Sequence, residues 1–262
     1  MSQLFVVKIG GNVLDNPVSL MQFLRDFARI DAPKILVHGG GKIATKIGQG
    51  LGIESKYIDG RRITDQQTLE LVTMVYGGLV NKQIVAQLQM LDCNAFGMTG
   101  ADGNMIKAKK RAVKEIDFGF VGDINAESVN ATFLNSLLME NTVPVFAPLT
   151  HAAGIMLNTN ADTIASSLAV AMTKYFNVRL IFCFEKKGVL RNVDESDSVI
   201  RHLSNDMYQD LLEANAFADG ILPKLENAYA AISAGVHEVL IGDAADILKN
   251  TGKETEGTLI TS

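Results

Sequence analysis

The chain has 262 residues, 47% of them hydrophobic and 20% charged, with a net charge of −5. That composition is globular and excludes a disordered chain. No apolar stretch reaches membrane-spanning length, and no basic cluster is long enough to track a nucleic-acid backbone.

The first predicted element is a strand over 4–9, where Leu4, Phe5, Val6 and Val7 lead through Lys8 and Ile9 into Gly10 and Gly11. Because it enters a strand almost at once, with no basic segment or cleavage site, the expectation is a cytoplasmic protein. Asn16 caps and Pro17 opens a helix with the stripe Leu20, Phe23, Leu24 and Phe27. A second strand, 35–37, ends in His38, Gly39, Gly40 and Gly41, and a helix follows. Thr64 and Gln67 are expected to form a capping box for a helix bearing Val72, Val75, Tyr76 and Leu79. The polar, glycine-punctuated stretch 107–124 reads as β-hairpin laid over the main sheet. Asn130 starts a helix with Phe133, Leu134, Leu137 and Leu138, and a strand over 143–148 follows. The segment Asn158, Thr159, Asn160, Ala161 and Asp162 leads into another helix. Beyond it come a strand over 178–184, helices over 204–215 and 223–235, a strand over 239–241 and a last short strand, Thr258–Ile260.

Strands alternating with helices imply an α/β fold: a mostly parallel central sheet sandwiched between helices. No linker or repeat divides the chain, and a soft boundary near Lys174 separates lobes 1–173 and 174–262. Cys93 and Cys183 lie far apart in apolar settings and read as two buried thiols in a reducing compartment. The four histidines, His38, His151, His202 and His237, lack metal-ligand spacing.

The chemistry is carried by the two glycine turns. Both follow apolar strands, bring backbone N–H groups close to an anion, and have a lysine beside them. A phosphate held between them makes phosphoryl transfer the leading hypothesis. Familiar nucleotide motifs fail: there is no G-x-G-x-x-G after a strand. Gly41 and Lys42 look like the end of a phosphate loop, but Ile43 stands where Ser or Thr belongs and Leu36 where the first glycine belongs.

More of the chain fits one pattern. To Lys8-Ile9-Gly10-Gly11 and His38-Gly39-Gly40-Gly41 are added Gly60-Arg61-Arg62-Ile63-Thr64-Asp65 and Gly78-Leu79-Val80-Asn81-Lys82. Asp102-Gly103-Asn104, Gly119-Phe120-Val121-Gly122, Asn158-Thr159-Asn160-Ala161-Asp162 and Pro223-Lys224 complete the series. In order and spacing these resemble the amino-acid kinase family over nearly the whole chain. The Gly-Arg-Arg-Ile-Thr and Asn-x-Asn-Ala-Asp segments narrow the resemblance to its acylglutamate kinases.

That resemblance implies ATP-dependent phosphorylation of the γ-carboxylate of N-acetyl-L-glutamate in arginine biosynthesis, with ATP and Mg²⁺. It implies that Lys8 and Lys224 stabilise the transferring phosphoryl group and that Asp162 orients both. Gly10, Gly11, Gly40 and Gly41 match phosphate-contacting glycines, the latter two also lying against the acylamino acid. Arg62 and Asn158 match the residues holding its α-carboxylate and acylamide. Glu185, Lys186, Lys187, Gly188, Val189 and Leu190, with Ala216, Phe217 and Ala218, fall where the family binds the nucleotide. The nucleophile would be a carboxylate with a pKa of about 4.3, already ionised, so no general base is required.

Each of these residues also has a plainer reading. Asp162 fits a helix N-cap, Arg62 an exposed loop arginine, and His38 a local hydrogen bond. Lys224 opposes the dipole at its helix start, which favours a functional role. Glu185 departs from the shorter Asp of the family's nucleotide loop. The segment from Thr150 to Gly154 is also unusual, which leaves another acyl group such as succinyl open. A relative acting on aspartate, glutamate or carbamate competes with the acylglutamate reading, as does a non-catalytic binding protein of the same fold. Arginine-inhibited members of the family carry an extra N-terminal helix that links dimers. The expectation here is a homodimer insensitive to arginine, formed through the helix of Val72, Val75, Tyr76 and Leu79.

Overall fold

The run Gln3–Ile9 forms β1 and obeys the period of two that a strand imposes. Leu4 and Val6 join one core with Ile35, Val37, Phe146 and Phe182. Phe5, Val7 and Ile9 join a second with Leu36, Val145 and Ile181. A strand buried on both faces needs an unbroken apolar run, and this one has it up to Lys8. The computed structural model describes the chain apart from Asp59, Glu185, Val193, Asp194, Ser196, 214–221 and Ser262, and it describes no side chain for Asn12 or Pro223.

After β1 come α1 (Gly11–Asp15), α2 (Pro17–Ala28), β2 (Lys34–His38) and α3 (Gly41–Gly50). The hairpin of β3 (Tyr57–Ile58) and β4 (Arg61–Arg62) precedes α4 (Gln66–Val72), a π-helical stretch over Thr73–Val80, and α5 (Asn81–Met90). Next are β5 (Ala95–Met98), β6 (Lys109–Lys110), β7 (Gly122–Asp123), α6 (Ala131–Met139) and β8 (Val143–Phe146). A hairpin of β9 (Leu149–Ala152) and β10 (Ile155–Asn158) leads to α7 (Ala161–Met172) and β11 (Asn177–Phe184). The remainder is β12 (His202–Leu203), α8 (Asn205–Glu213), α9 (Leu222–Ser233), β13 (Glu238–Asp243), α10 (Ile247–Asn250) and β14 (Thr258–Ile260).

Among the described residues the main sheet has eight strands in the order β12-β14-β13-β11-β1-β2-β8-β5. Its pairings are parallel except between β13 and β14. α2, α4 and α5 pack on one face through Phe23, Phe27, Leu71, Ile84 and Leu88. α6, α7 and α9 pack on the other through Leu134, Leu168 and Leu225. The expected layered architecture is therefore present. Among the described residues no helix is long and apolar enough to cross a membrane.

Register places the site. Ile9 pairs with His38, so β1 and β2 end side by side. The Gly39 N–H donates to the Ile9 carbonyl at 3.0 Å. A Cβ on Gly39 would lie 3.6 Å from Gly10 Cα, so the two glycine turns lie against each other.

Several expectations are met locally. Asn16 accepts from the N–H groups of Val18 and Ser19, and the stripe of Leu20, Phe23, Leu24 and Phe27 is buried. Both cysteines are free and buried. Others need correction. The cap of α4 is Asp65, whose carboxylate accepts from Thr68 N–H at 2.8 Å, while Thr64 is buried and bridges to Gly119. The helix that follows is not one regular α-helix, because a π-helical stretch widens it. Val72, Val75 and Tyr76 face the protein's own core, and only Leu79 of that stripe is exposed, at 41%. Of that stripe, only Leu79 is therefore open to a partner.

Candidate active site

The glycine turns are built by close approach. Gly40 caps α3 with a φ of +151°, and a Cβ there would lie 2.9 Å from a ring carbon of Tyr76. Only glycine fits this turn without strain. Neither Gly10 nor Gly40 makes a side-chain cap, so the first N–H groups of α1 and α3 are not answered by one. His38 is wholly buried behind the second turn. Its Nδ1 lies 2.7 Å from the Gly39 carbonyl. A carbonyl only accepts, so Nδ1 carries the proton and Nε2 accepts from Asn81 Nδ2 at 3.1 Å. The same amide donates to the Val145 carbonyl at 2.9 Å. Burial holds the imidazole down at about 4, so it is neutral at working pH. Of its two readings, the local hydrogen bond is the one the geometry has.

Lys8 points from the end of β1 to Asp162, with Nζ 2.9 Å from Oδ1. The contact is an ion pair without the alignment of a hydrogen bond. Asp162 is not the cap of α7. Asn160 is, accepting from the N–H groups of Asp162 and Thr163 at 2.8 and 3.1 Å. That leaves the Asp162 carboxylate, in the first turn of its helix, for the lysine. Lys224 enters from the first turn of α9, its ammonium 4.8 Å from the centre of the Phe184 ring. Among the described residues no ion pair joins Lys224 to Asp162.

Arg62 is no exposed loop residue. It is 7% exposed, whereas Arg61 beside it is exposed. Its Nη2 donates to the Gly41 carbonyl at 2.8 Å and to Thr45 Oγ1 at 3.0 Å, and its Nη1 donates to Ser55 Oγ. The Tyr57 ring lies 4.8 Å below the guanidinium. Asn158 ends β10 and donates from Nδ2 to Thr64 Oγ1 at 3.0 Å.

Two cavities meet here. One, of about 530 Å³, is lined by Lys8, Gly10, Gly11, Phe184, Asp243 and Lys224, with apolar walls from α2. The other, of about 470 Å³, is lined by Gly40, Gly41, Arg62, Asn158, Asp162 and Lys224. Lys224 borders both, and the Lys8–Asp162 pair links one to the other. Such an arrangement lets two ligands touch at one cluster of charge, which a group transfer between them requires.

Some expected residues lie elsewhere. Lys186, Lys187, Gly188, Val189 and Leu190 line neither cavity. Lys187 is exposed and pairs with Asp197 at 2.7 Å, which raises its pKa. A Cβ on Gly188 would lie 2.6 Å from Thr258 Oγ1, and Val189 is buried beside it. Glu185, Ala216, Phe217 and Ala218 fall outside the described residues. The segment from Thr150 to Gly154 is most of β9 and the turn into β10, and it lines neither cavity. Conversely, Tyr57, Tyr76 and Arg111 line the second cavity although no local motif marks them. Arg111 carries a weak signal, a cation in a predicted hairpin, but its contact with Asp123 across the turn sets its direction.

The amino acid kinase family model matches residues 3–243. The chain belongs to the amino acid kinase family. Within that family it is 53% identical over 251 residues to the acetylglutamate kinase of Cytophaga hutchinsonii, covering 95% of this chain and 94% of that one. It is 53% identical over 253 residues to the acetylglutamate kinase of Parabacteroides distasonis, covering 96% and 98%. A solved Streptococcus mutans protein shares the fold with a TM-score of 0.75 at 27% identity, covering 98% of each chain. The mostly parallel sheet carries its paired glycine turns at the carboxyl ends of two interior strands, β1 and β2.

Proposed function

We propose that this chain transfers the γ-phosphoryl group of ATP to the γ-carboxylate of N-acetyl-L-glutamate, a step of arginine biosynthesis. The observation that carries the reading is the Lys8–Asp162 ion pair, 2.9 Å across, standing where two cavities meet. The names of the relatives at 53% identity supply the substrate.

In this reading the cavity at Arg62 and Asn158 takes the acylglutamate. Arg61, Arg62 and Arg111 line it, as suits a dicarboxylate. The Arg62 guanidinium takes the α-carboxylate, and the Asn158 amide takes the acylamide. A γ-carboxylate oxygen forms the new bond to the γ-phosphorus as the bond to the bridging β,γ oxygen breaks. ADP leaves with the electron pair. No proton moves, so buried, neutral His38 is no general base. Lys8, Lys224 and the N–H groups of Gly10, Gly11, Gly40 and Gly41 face the charge on the equatorial oxygens, and Asp162 holds Lys8 in place.

Mg²⁺ belongs to the same reading. Among the described residues no group of three or more His, Cys, Asp or Glu side chains could hold a metal. Mg²⁺ bound through phosphates, waters and one carboxylate needs no such cage, and Asp243, on the wall of the first cavity, suits that part. When bound, the ion neutralises β- and γ-phosphate oxygens.

The accompanying organisation is a lobe 1–173 for the acylamino acid and for dimerisation, and a lobe 174–262 for the nucleotide. Phe184 and Asp243 on the first cavity support the nucleotide lobe. Exposed Met74 and Leu79 on the π-helical stretch and Phe96 on edge strand β5 support a two-fold face. Two free buried thiols support a reducing cytoplasm.

The test is ADP release with acetylglutamate, succinylglutamate, glutamate and aspartate offered in parallel. Acetylglutamate is expected to turn over fastest. Faster turnover of succinylglutamate reassigns the acyl group, and no turnover of either acylglutamate contradicts the reading.

A further inference from the structure

A chain of hydrogen bonds ends on the second glycine turn, and the transfer chemistry leaves it unused. It starts at exposed Lys82, whose ammonium donates to the Asn81 side-chain oxygen at 3.2 Å and to the Gly97 carbonyl at 3.0 Å. An ammonium only donates, so the oxygen of the buried Asn81 amide faces Lys82 and its NH₂ group faces inward. That NH₂ donates to His38 Nε2 at 3.1 Å and to the Val145 carbonyl at 2.9 Å. The imidazole proton is thereby held on Nδ1, 2.7 Å from the Gly39 carbonyl. Gly39 is pinned from its other side as well, because its N–H donates to the Ile9 carbonyl at 3.0 Å. The Gly39 carbonyl and the Gly40 N–H share one planar trans peptide, so they point opposite ways. With the carbonyl turned in on a wholly buried ring, the Gly40 N–H turns out. Gly39, Gly40 and Gly41 all line the second cavity, and the Gly40 N–H has no acceptor among the described residues.

We propose that His38 is a positioning residue for phosphoryl transfer: through the Gly39 carbonyl it aims the Gly40 N–H at the transferring group. The inference deepens the kinase reading and rests on it. An N–H donor fixed before the substrates arrive needs no reorientation as charge gathers on the phosphoryl oxygens. Without the imidazole the Gly39 carbonyl loses its donor, and glycine on both sides leaves the peptide between them free to turn. The competing account is that His38 only fills the end of β2. The two accounts differ in which ring nitrogen matters. Filling depends on the whole ring, whereas aiming depends on the donor at Nδ1.

The experiment is steady-state ADP release from the full chain and from its His38→Asn and His38→Gln variants, with melting curves alongside. An Asn side chain carries its amide nitrogen at the place of Nδ1, and Gln carries its own near the place of Nε2. His38→Asn is therefore expected to keep turnover within a few-fold, although it gives up the contact with Asn81 and melts lower. His38→Gln is expected to lose turnover about tenfold or more, part of the worth of one preorganised N–H donor, with Michaelis constants little changed. Nitrogen NMR of the imidazole in the unaltered chain reads the tautomer without any substitution, and a proton on Nδ1 is expected. Four results overturn the proposal while leaving the kinase reading intact: turnover that follows melting temperature across the variants, equal turnover in both, a His38→Gln defect confined to the Michaelis constants, or a proton on Nε2. An unaltered chain that releases no ADP with either acylglutamate overturns both.

Discussion

Arg62 and Arg179 are nearly equally buried, at 7% and 8% exposure, yet they answer the cost of burying charge in opposite ways. Arg179, in β11, donates from Nε to Glu238 Oε2 at 2.6 Å and from Nη1 to the carbonyls of Asn250 and Gly252 at 3.0 and 2.7 Å. Its charge is cancelled within the fold, and it borders neither cavity. Arg62 donates to neutral groups, the Gly41 carbonyl and the Thr45 and Ser55 hydroxyls, and among the described residues no carboxylate lies within ion-pair distance. It faces a cavity. An uncompensated buried charge costs several kcal/mol, so a fold keeps one where a ligand completes it. His38 is a third answer, because burial removes its charge altogether. Residue type and burial therefore do not separate scaffold from site. The presence of an internal counter-charge does.

The largest effect tests the scaffold side. Arg179→Met leaves Glu238 with only the exposed His237 beside it, 3.6 Å away, and chemical denaturation should show a loss of about 3–5 kcal/mol. The Michaelis constants of the protein that stays folded should not move. A small stability loss with a changed Michaelis constant would put Arg179 in the site and break the comparison. On the site side, Lys8→Ala and Lys224→Ala should each raise the barrier by roughly 3–4 kcal/mol, orders of magnitude in turnover, with nearly normal melting. A folded Lys8→Ala enzyme with ordinary turnover would falsify the clamp.

His38 yields a smaller, pH-dependent effect. The unfolded chain protonates this ring near pH 6.5, and the folded chain holds off until about pH 4. The unfolded state thus binds more protons between those values, and stability falls as pH drops through that window. The total is roughly 3 kcal/mol when complete, and about half of it is lost by pH 5.3. Comparing denaturation of the unaltered chain and His38→Gln from pH 7 to pH 4.5 isolates this slope. Parallel curves for the two proteins would show that His38 is not held neutral.

How much of this was legible in the sequence depended on contact range. β1, β2 and their glycine turns announce themselves, since an unbroken apolar run ending in glycine is a local signal. The role of Asp162 was half legible: Asn160, two residues earlier, is itself a capping residue, and reading it as the cap leaves Asp162 spare. Thr64 misled because Asp65, the next residue, is the better placed acceptor. β5 escaped notice because it is short, contains Gly97 and exposes Phe96. The burial of Arg62 was hidden, since Gly41, Thr45 and Ser55 reach it through the fold. Gly188 packs on Thr258, far along the chain from it, and no local pattern encodes that contact.

The central claim is that Arg62 keeps its charge for a ligand carboxylate. The direct measurement is the Michaelis constant for N-acetylglutamate and for its α-amide, in the unaltered enzyme and in Arg62→Lys. The account predicts that the unaltered enzyme favours the free acid by about tenfold or more, the worth of one charge-assisted contact. Arg62→Lys, which keeps the charge but loses the planar fork, should shrink that preference and leave the ATP constant unchanged. A preference that survives intact in Arg62→Lys, or a change confined to the ATP constant, would contradict it.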